Sequence, residues 1–124
     1  NSYKRFGKNK APRYISWSSE NRSQLVRVPS AVGKYRRVEL RSPDPSANTY
    51  LAFALIIYAI LDGIQNKTEL PAPSDINLYK ADKDILTNFK QLPENFKSAC
   101  TTAANSDFIR KYIPDAILNI YCNR

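Results

Sequence analysis

The run YRRVELRSPDPSANTYLAFALIIYAIL, residues 35–61, changes its period halfway along. In its first part Arg37, Glu39 and Arg41 alternate with Val38 and Leu40. A strand with that pattern turns all three charged side chains to one face. Ser-Pro-Asp-Pro, residues 42–45, then stops the strand. From Tyr50 to Leu61 twelve residues are apolar, a run too short for the roughly 18 of a membrane span. That length fits a helix buried in protein. Asp44 is expected to cap it and Pro45 to take its first position, where the missing N–H costs nothing. The helix is expected over about 45–65, with Gly63 and Asn66 marking its end. It is apolar on all sides between 50 and 61, so it calls for cover from this segment and from other parts of a parent protein.

Upstream, residues 1–11 are polar and read as loop. PRYISWSS (12–19), NRSQLVRVPS (21–30) and YRRVELRS (35–42) read as short strands, with a turn around Gly33. Their short connections predict an antiparallel sheet. Downstream, KTELPAPSDIN (67–77) is a proline-containing surface connection. Pro93 suits a helix start, and Phe96, Ala99, Cys100 and Ala103 form one apolar stripe. Ser106 caps a turn carrying Ile109, Tyr112 and Ile113. Pro114 restarts a last helix with Ile117, Ile120 and Tyr121 inward. Strands first and helices after predict an α+β fold. A loop and the strands are expected over 1–44 and the helical part over 45–124, within one 124-residue domain.

The charge is placed as unevenly as the periodicity. Of the net +8, residues 1–41 hold eleven Lys or Arg against two acids, Glu20 and Glu39. The remainder is close to neutral. So local a positive field implies an anionic partner: phosphates, carboxylates or nucleic acid. There is no histidine, so chemistry here rests on carboxylates, arginines and lysines, or on residues elsewhere. Cys100 and Cys122 form no C-x-x-C pattern and point to a reducing compartment, with a single bridge between them as the alternative. The polar, basic start is unlike a signal peptide. A chain that begins with Asn and contains no Met reads as a piece of something longer.

Arg5, Arg22, Arg27, Arg37 and Arg41 lie on or beside the expected strands, with Lys10, Arg13 and Lys34 near them. A planar guanidinium donates two parallel hydrogen bonds to phosphate or carboxylate. Glu39 among them is either the salt-bridge partner that orders the arginines or a ligand of a divalent cation bridging phosphate oxygens. Composition leaves three readings open. One is ion pairing on a solvated face. Another is nucleic-acid binding, with Tyr3, Phe6, Tyr14, Trp17 and Tyr35 as a stacking surface. The third is an enzyme site for phosphate and carboxylate.

Specific strings separate these readings. NSYKR (1–5), APRYISW (11–17), NRSQLVRVP (21–29), RRVELRSPDPSAN (36–48), YLAFALIIYAILDGIQNK (50–67) and NLY (77–79) occur in this order. Together they closely resemble the C-terminal part of the catalytic domain of type I glutamine synthetase. The tail LPENFKSACTTAANSDFIRKYI (92–113) is similar to that family's closing helices. The resemblance implies an ATP-dependent ligase that forms glutamine from glutamate and ammonia through a γ-glutamyl phosphate. It implies ATP and two divalent cations (Mg or Mn) as cofactors, a cytoplasmic location and a double-ring dodecamer. By the same resemblance, Arg5 and Arg41 would hold glutamate and Arg22 would sit against the transferred γ-phosphate. Arg27 would hold ATP phosphates, and Lys34 and Arg37 would lie by the nucleotide and its phosphates. Glu39 would be a ligand of the metal nearer those phosphates, and Tyr79 matches the tyrosine that some bacterial members adenylylate.

The chain departs from the family pattern at three places, one being the loop after NSYKR (1–5), which is shorter than usual and lacks the common Pro-Gly. Thr49 stands where relatives carry Pro, and NLYKADKDI (77–85) lacks the acidic, proline-containing continuation of the modified members. The family's remaining metal ligands and nucleotide loop lie upstream of the strings matched here. The 124 residues alone are therefore expected not to make glutamine. The rival within the superfamily is a γ-glutamyl-amine or polyamine ligase. The rival from another class is a basic nucleic-acid-binding module.

Overall fold

The computed structural model describes residues 2–8 and 10–122. Three strands, β1 (Trp17–Ser18), β2 (Val26–Arg27) and β3 (Glu39–Leu40), form a sheet in the order β1-β2-β3. Five helices follow: α1 (Thr49–Gln65), α2 (Lys83–Leu86), α3 (Phe96–Ala104), α4 (Asp107–Tyr112) and α5 (Asp115–Cys122). The α+β expectation holds. The chain divides into two compact units, residues 1–44 with 71–92, and residues 45–70 with 93–124.

In the first unit the sheet differs from expectation in one pairing. β2 and β3 are antiparallel, with Val26 opposite Leu40 and Arg27 opposite Glu39. β1 and β2 are parallel, with Trp17 opposite Val26 and Ser18 opposite Arg27. A short connection ordinarily implies an antiparallel pair. Here it reverses direction twice through polar turns. The Ser18 hydroxyl accepts from the N–H groups of Glu20 (3.3 Å) and Asn21 (3.0 Å), and Asn21 Oδ1 accepts from the Ser23 N–H (2.9 Å). Strands only two residues long make that return feasible.

The centre of this unit is polar. Ser18 and Gln24 are fully buried, with Ser23, Pro12, Ala11, Leu25 and Leu78 beside them. Buried polar groups are tolerated when they are paired. Ser23 Oγ accepts from Leu78 N–H (2.9 Å), and Gln24 Nε2 donates to the Ile76 carbonyl (2.8 Å). Asn21 Nδ2 donates to the Asp75 carbonyl (2.9 Å), and Trp17 Nε1 to the Pro71 carbonyl (2.7 Å). The proline-containing connection is thus zipped onto the NRSQL segment by hydrogen bonds.

In the second unit, α1 starts later than expected. Asn48, not Asp44, caps it, its side chain accepting from Leu51 N–H. Asp44 instead accepts a short hydrogen bond from Ser2 Oγ. The helix ends where Asn66 was expected to stop it. This segment by itself does not supply the cover the helix calls for: no α1 residue is buried among the described residues, and Tyr50 is 86% exposed. The remaining helices agree in kind and differ at their ends. Asn95, two residues after Pro93, caps α3 with a capping box, and Ser106 caps α4 as expected. Pro114 precedes α5, but Ile120 faces outward and is 59% exposed. Tyr58 stacks on Tyr112 with ring centroids 4.1 Å apart, and Phe108 meets Tyr112 edge-on at 5.0 Å. No helix among the described residues is long and apolar enough to cross a membrane.

Candidate active site

The antiparallel register sets Arg27 directly across from Glu39. Opposed residues on neighbouring strands share a face and lie close enough to pair. Arg27 Nη1 donates to Glu39 Oε2 at 3.0 Å. Arg37, two residues before Glu39, reaches the other oxygen, with Nε and Nη2 both 3.1 Å from Oε1. The carboxylate is therefore gripped from two sides. Its pKa is lowered, chiefly by the hydrogen bond and charge of Arg27 and to a lesser degree by Arg37, with desolvation opposing them. Glu39 is thus an anion at neutral pH. With Oε1 accepting from Arg37 Nε and Oε2 from Arg27 Nη1, a lone-pair site remains on Oε2.

Arg27 has a second carboxylate. Its Nη2 donates to Glu20 Oε2 (3.2 Å), and its Nε donates to the Glu20 carbonyl (3.0 Å). The other oxygen of Glu20 accepts from the Ser30 N–H at 2.6 Å. Only 13% of the Arg27 side chain is exposed, and its pKa is raised, chiefly by Glu39. Glu20, Ser30 and Arg37 border an open groove of about 600 Å³, whose wall also includes Val28, Pro29 and Arg36. That size lies within the range of small-molecule sites.

Arg41 lies beyond the end of β3 and does a different job. Its Nη2 donates to the Lys10 carbonyl (2.7 Å), and its Nη1 to the carbonyls of Gln24 (3.3 Å) and Arg22. Lys10 holds a positive φ of 63°, which turns that carbonyl within a tight loop bonded from Gly7 N–H to the Ala11 carbonyl (2.9 Å). The Tyr79 hydroxyl donates to the same Arg22 carbonyl at 3.3 Å. Burial pushes the Tyr79 phenol up in pKa, and the adjacent Arg41 pulls it back in part. Arg22 enters this cluster through its backbone; its side chain is exposed.

The remaining site residues sit at the periphery. Arg5 Nη2 donates to Ser2 Oγ (3.2 Å), which donates in turn to Asp44. Lys34 lies in the exposed turn after Val32, its ammonium 5.4 Å from the centre of the Tyr35 ring. The structure therefore gathers Arg27, Arg37 and Glu39 into one cluster, and Arg41, Tyr79 and the Arg22 backbone into a second. Arg5 and Lys34 join neither through a hydrogen bond among the described residues. The strand-face pattern of Arg37, Glu39 and Arg41 is resolved into an ion-pair cluster and a backbone clasp. Glu20 was not among the expected site residues. Its signal was present: it is one of two acids among the eleven basic residues of the first 41.

The family model described as glutamine synthetase, catalytic domain, matches residues 1–124. Glutamine synthetase of Thermotoga maritima is 50% identical over 112 residues, covering 88% of this chain and 26% of the relative. That of Methanosarcina mazei is 40% identical over 124 residues, covering 98% of this chain and 28% of the relative. A solved structure, the GmaS/ADP complex in its conformation 1, superposes with a TM-score of 0.77 at 30% identity. It covers 93% of this chain and 26% of that one. The chain thus spans about a quarter of the length of the curated relatives it matches.

Proposed function

Because this chain belongs to the glutamine synthetase family, a family of enzymes, we propose that it forms part of an ATP-dependent ligase making glutamine from glutamate and ammonia. The observation that carries this reading is the ionised Glu39 clasped between Arg27 and Arg37 by the β2–β3 register. The reaction must bring two anions together, the γ-phosphate of ATP and the side-chain carboxylate of glutamate. Positive charge, fixed in advance, lowers the cost of that meeting.

In this reading Arg27 holds ATP phosphates, and Arg37 and Lys34 lie by the nucleotide, on the side of the groove that Arg37 borders. Arg22, exposed and close to both clusters in sequence, sits against the phosphoryl group in transfer. Arg5 and Arg41 hold glutamate. A glutamate side-chain oxygen attacks the γ-phosphorus and ADP leaves, giving γ-glutamyl phosphate. Ammonia then attacks the acyl carbon and inorganic phosphate leaves. Tyr79 is kept in this reading as a site open to adenylylation, with its hydroxyl beside Arg41.

The residues fit the cofactors this reading needs. Guanidinium groups match phosphate oxygens, and the spare lone pair on Glu39 Oε2 offers one position to a Mg or Mn ion. A divalent cation there would neutralise charge developing on the phosphates. No group of three or more His, Cys, Asp or Glu among the described residues could hold a metal, so the other ligands, including those of a second cation, belong to the rest of the enzyme. The apolar residues that α1 leaves exposed support a need for further protein surface, in line with a homo-oligomer, dodecameric by resemblance, in the cytoplasm.

The test is product analysis with the full-length subunit, ATP and Mg, using ammonia and polyamines as acceptors. Glutamine is expected with ammonia, and none from the 124-residue chain alone. Phosphate release and conjugate formation only with polyamines would move the assignment to a γ-glutamyl-amine ligase. Absence of ATP use together with salt-sensitive RNA binding would overturn it.

A further inference from the structure

Glu20 holds an arginine of the basic unit through both its backbone and its side chain. One residue reaches Arg27 twice, through its carbonyl to Nε (3.0 Å) and through Oε2 to Nη2 (3.2 Å). Its remaining carboxylate oxygen takes the Ser30 N–H at 2.6 Å. Glu39 takes Nη1 at 3.0 Å. A guanidinium has five N–H donors. Three are used here, which leaves one N–H on each terminal nitrogen. The guanidinium is thereby fixed in plane and rotation, with two donors in hand for an incoming anion. Such a fork suits a phosphate, which accepts two parallel hydrogen bonds. Glu39 alone would hold Arg27 by one nitrogen and leave the other end free to turn.

A surface ion pair that merely sat near Arg27 would make neither the carbonyl contact nor the tie to Ser30. Both Glu20 and Ser30 border the groove that Arg37 lines. The carboxylate of Glu20 therefore couples the orientation of Arg27 to the groove wall.

We propose that Glu20 is a positioning residue that holds Arg27 in the orientation needed to bind the phosphates of a nucleoside triphosphate. This inference rests on the ATP-dependent reading given above and adds a residue to it. Glu20 does not touch substrate; it acts through Arg27.

The test is a double-mutant cycle in the full-length subunit with Glu20→Ala, Arg27→Ala and both together, read as kcat/KM for ATP, KM for glutamate and thermal midpoint. Glu20→Ala is expected to lower kcat/KM for ATP about 10-fold, as small misplacement of a reacting group does, and to leave KM for glutamate unchanged. In the Arg27→Ala background the same substitution is expected to cost less than about twofold, since residues acting through one another are not additive. Should Glu20→Ala fail to fold, Glu20→Gln keeps the volume and loses the charge, and it is expected to reproduce most of the loss. An unchanged kcat/KM in the variant that folds overturns the inference. So does an equal loss in the Arg27→Ala background. If the unsubstituted subunit uses ATP with another amine, the cycle still decides the role of Glu20. If it uses no ATP, the ATP-dependent reading and this inference fall together.

Discussion

In the unit formed by residues 1–44 and 71–92, the deepest side chains are Pro12, Ser18, Ser23 and Gln24, three of them polar. In the unit formed by 45–70 and 93–124, Ile113 is the one buried hydrophobic residue described, while Tyr50, Phe53, Ile57 and Ile64 stand more than half exposed. The basic unit is held by directional bonds between polar groups, packed with the buried Ala11, Pro12, Leu25 and Leu78. The helical unit has a surplus of apolar surface, and α1, α3 and α4 are each capped by their own side chain. Directional bonds fix where a charged group points, which is what a site for two anions needs. Apolar surplus fixes nothing by itself and gains only from further surface.

That contrast can be broken at several points. The largest effect belongs to the basic unit. Arg41→Ala in the full-length subunit should reduce turnover by roughly 10²–10³, the loss typical of one preorganised charge-stabilising donor. Because Arg41 also clasps the carbonyls of Lys10 and Gln24, a thermal scan should accompany the kinetics. Turnover within a few-fold of the parent would remove Arg41 from the site.

Ser23→Ala should destabilise the basic unit by about 2 kcal/mol, because it leaves the buried Leu78 N–H without its acceptor. Denaturant titration of the subunit measures it. The matching change in the helical unit, Asn95→Ala, removes a single exposed cap and should cost about 1 kcal/mol. If the two losses came out in the reverse order, the polar centre would not be what holds the basic unit.

The Arg27–Glu39 pair gives a smaller, pH-dependent effect. The folded pKa of Glu39 is lowered, so its stabilisation is complete above the ordinary glutamate value of about 4.3 and is lost as pH falls through the lower folded value. Glu39→Gln should abolish that acid-limb dependence in a stability–pH profile. A profile unchanged by the substitution would mean the pairing is absent in solution.

The smallest effect is expected at Phe53, 63% exposed on α1. Phe53→Ser should change the stability of the 124-residue chain by no more than about 0.5 kcal/mol. The same substitution in the assembled enzyme sharpens the comparison, since a larger loss there measures how much cover the rest of the protein supplies.

Some of this was legible before the structure. The period change across residues 35–61, the ends marked by Asn66 and Ser106, and the charge asymmetry each follow from local chemistry. The site was legible in its residue types and only partly in its arrangement. Arg37 and Glu39 were expected on one face and are paired. Arg41, expected beside them, turns to backbone carbonyls contributed by residues 10, 22 and 24. The cap moved from Asp44 to Asn48, where the helix begins, and Asp44 instead pairs with Ser2, distant in sequence.

Alternation, capping residues and turn chemistry determined the kinds of element and their order, because those signals act over a few residues and need no partner. Tertiary structure alone decided the parallel β1–β2 pair, the placement of Arg27 opposite Glu39 and the entry of Glu20 into the cluster. Each of these depends on which groups meet across the fold. A hydrogen bond is made or lost within a fraction of an ångström, and local pattern does not carry that distance.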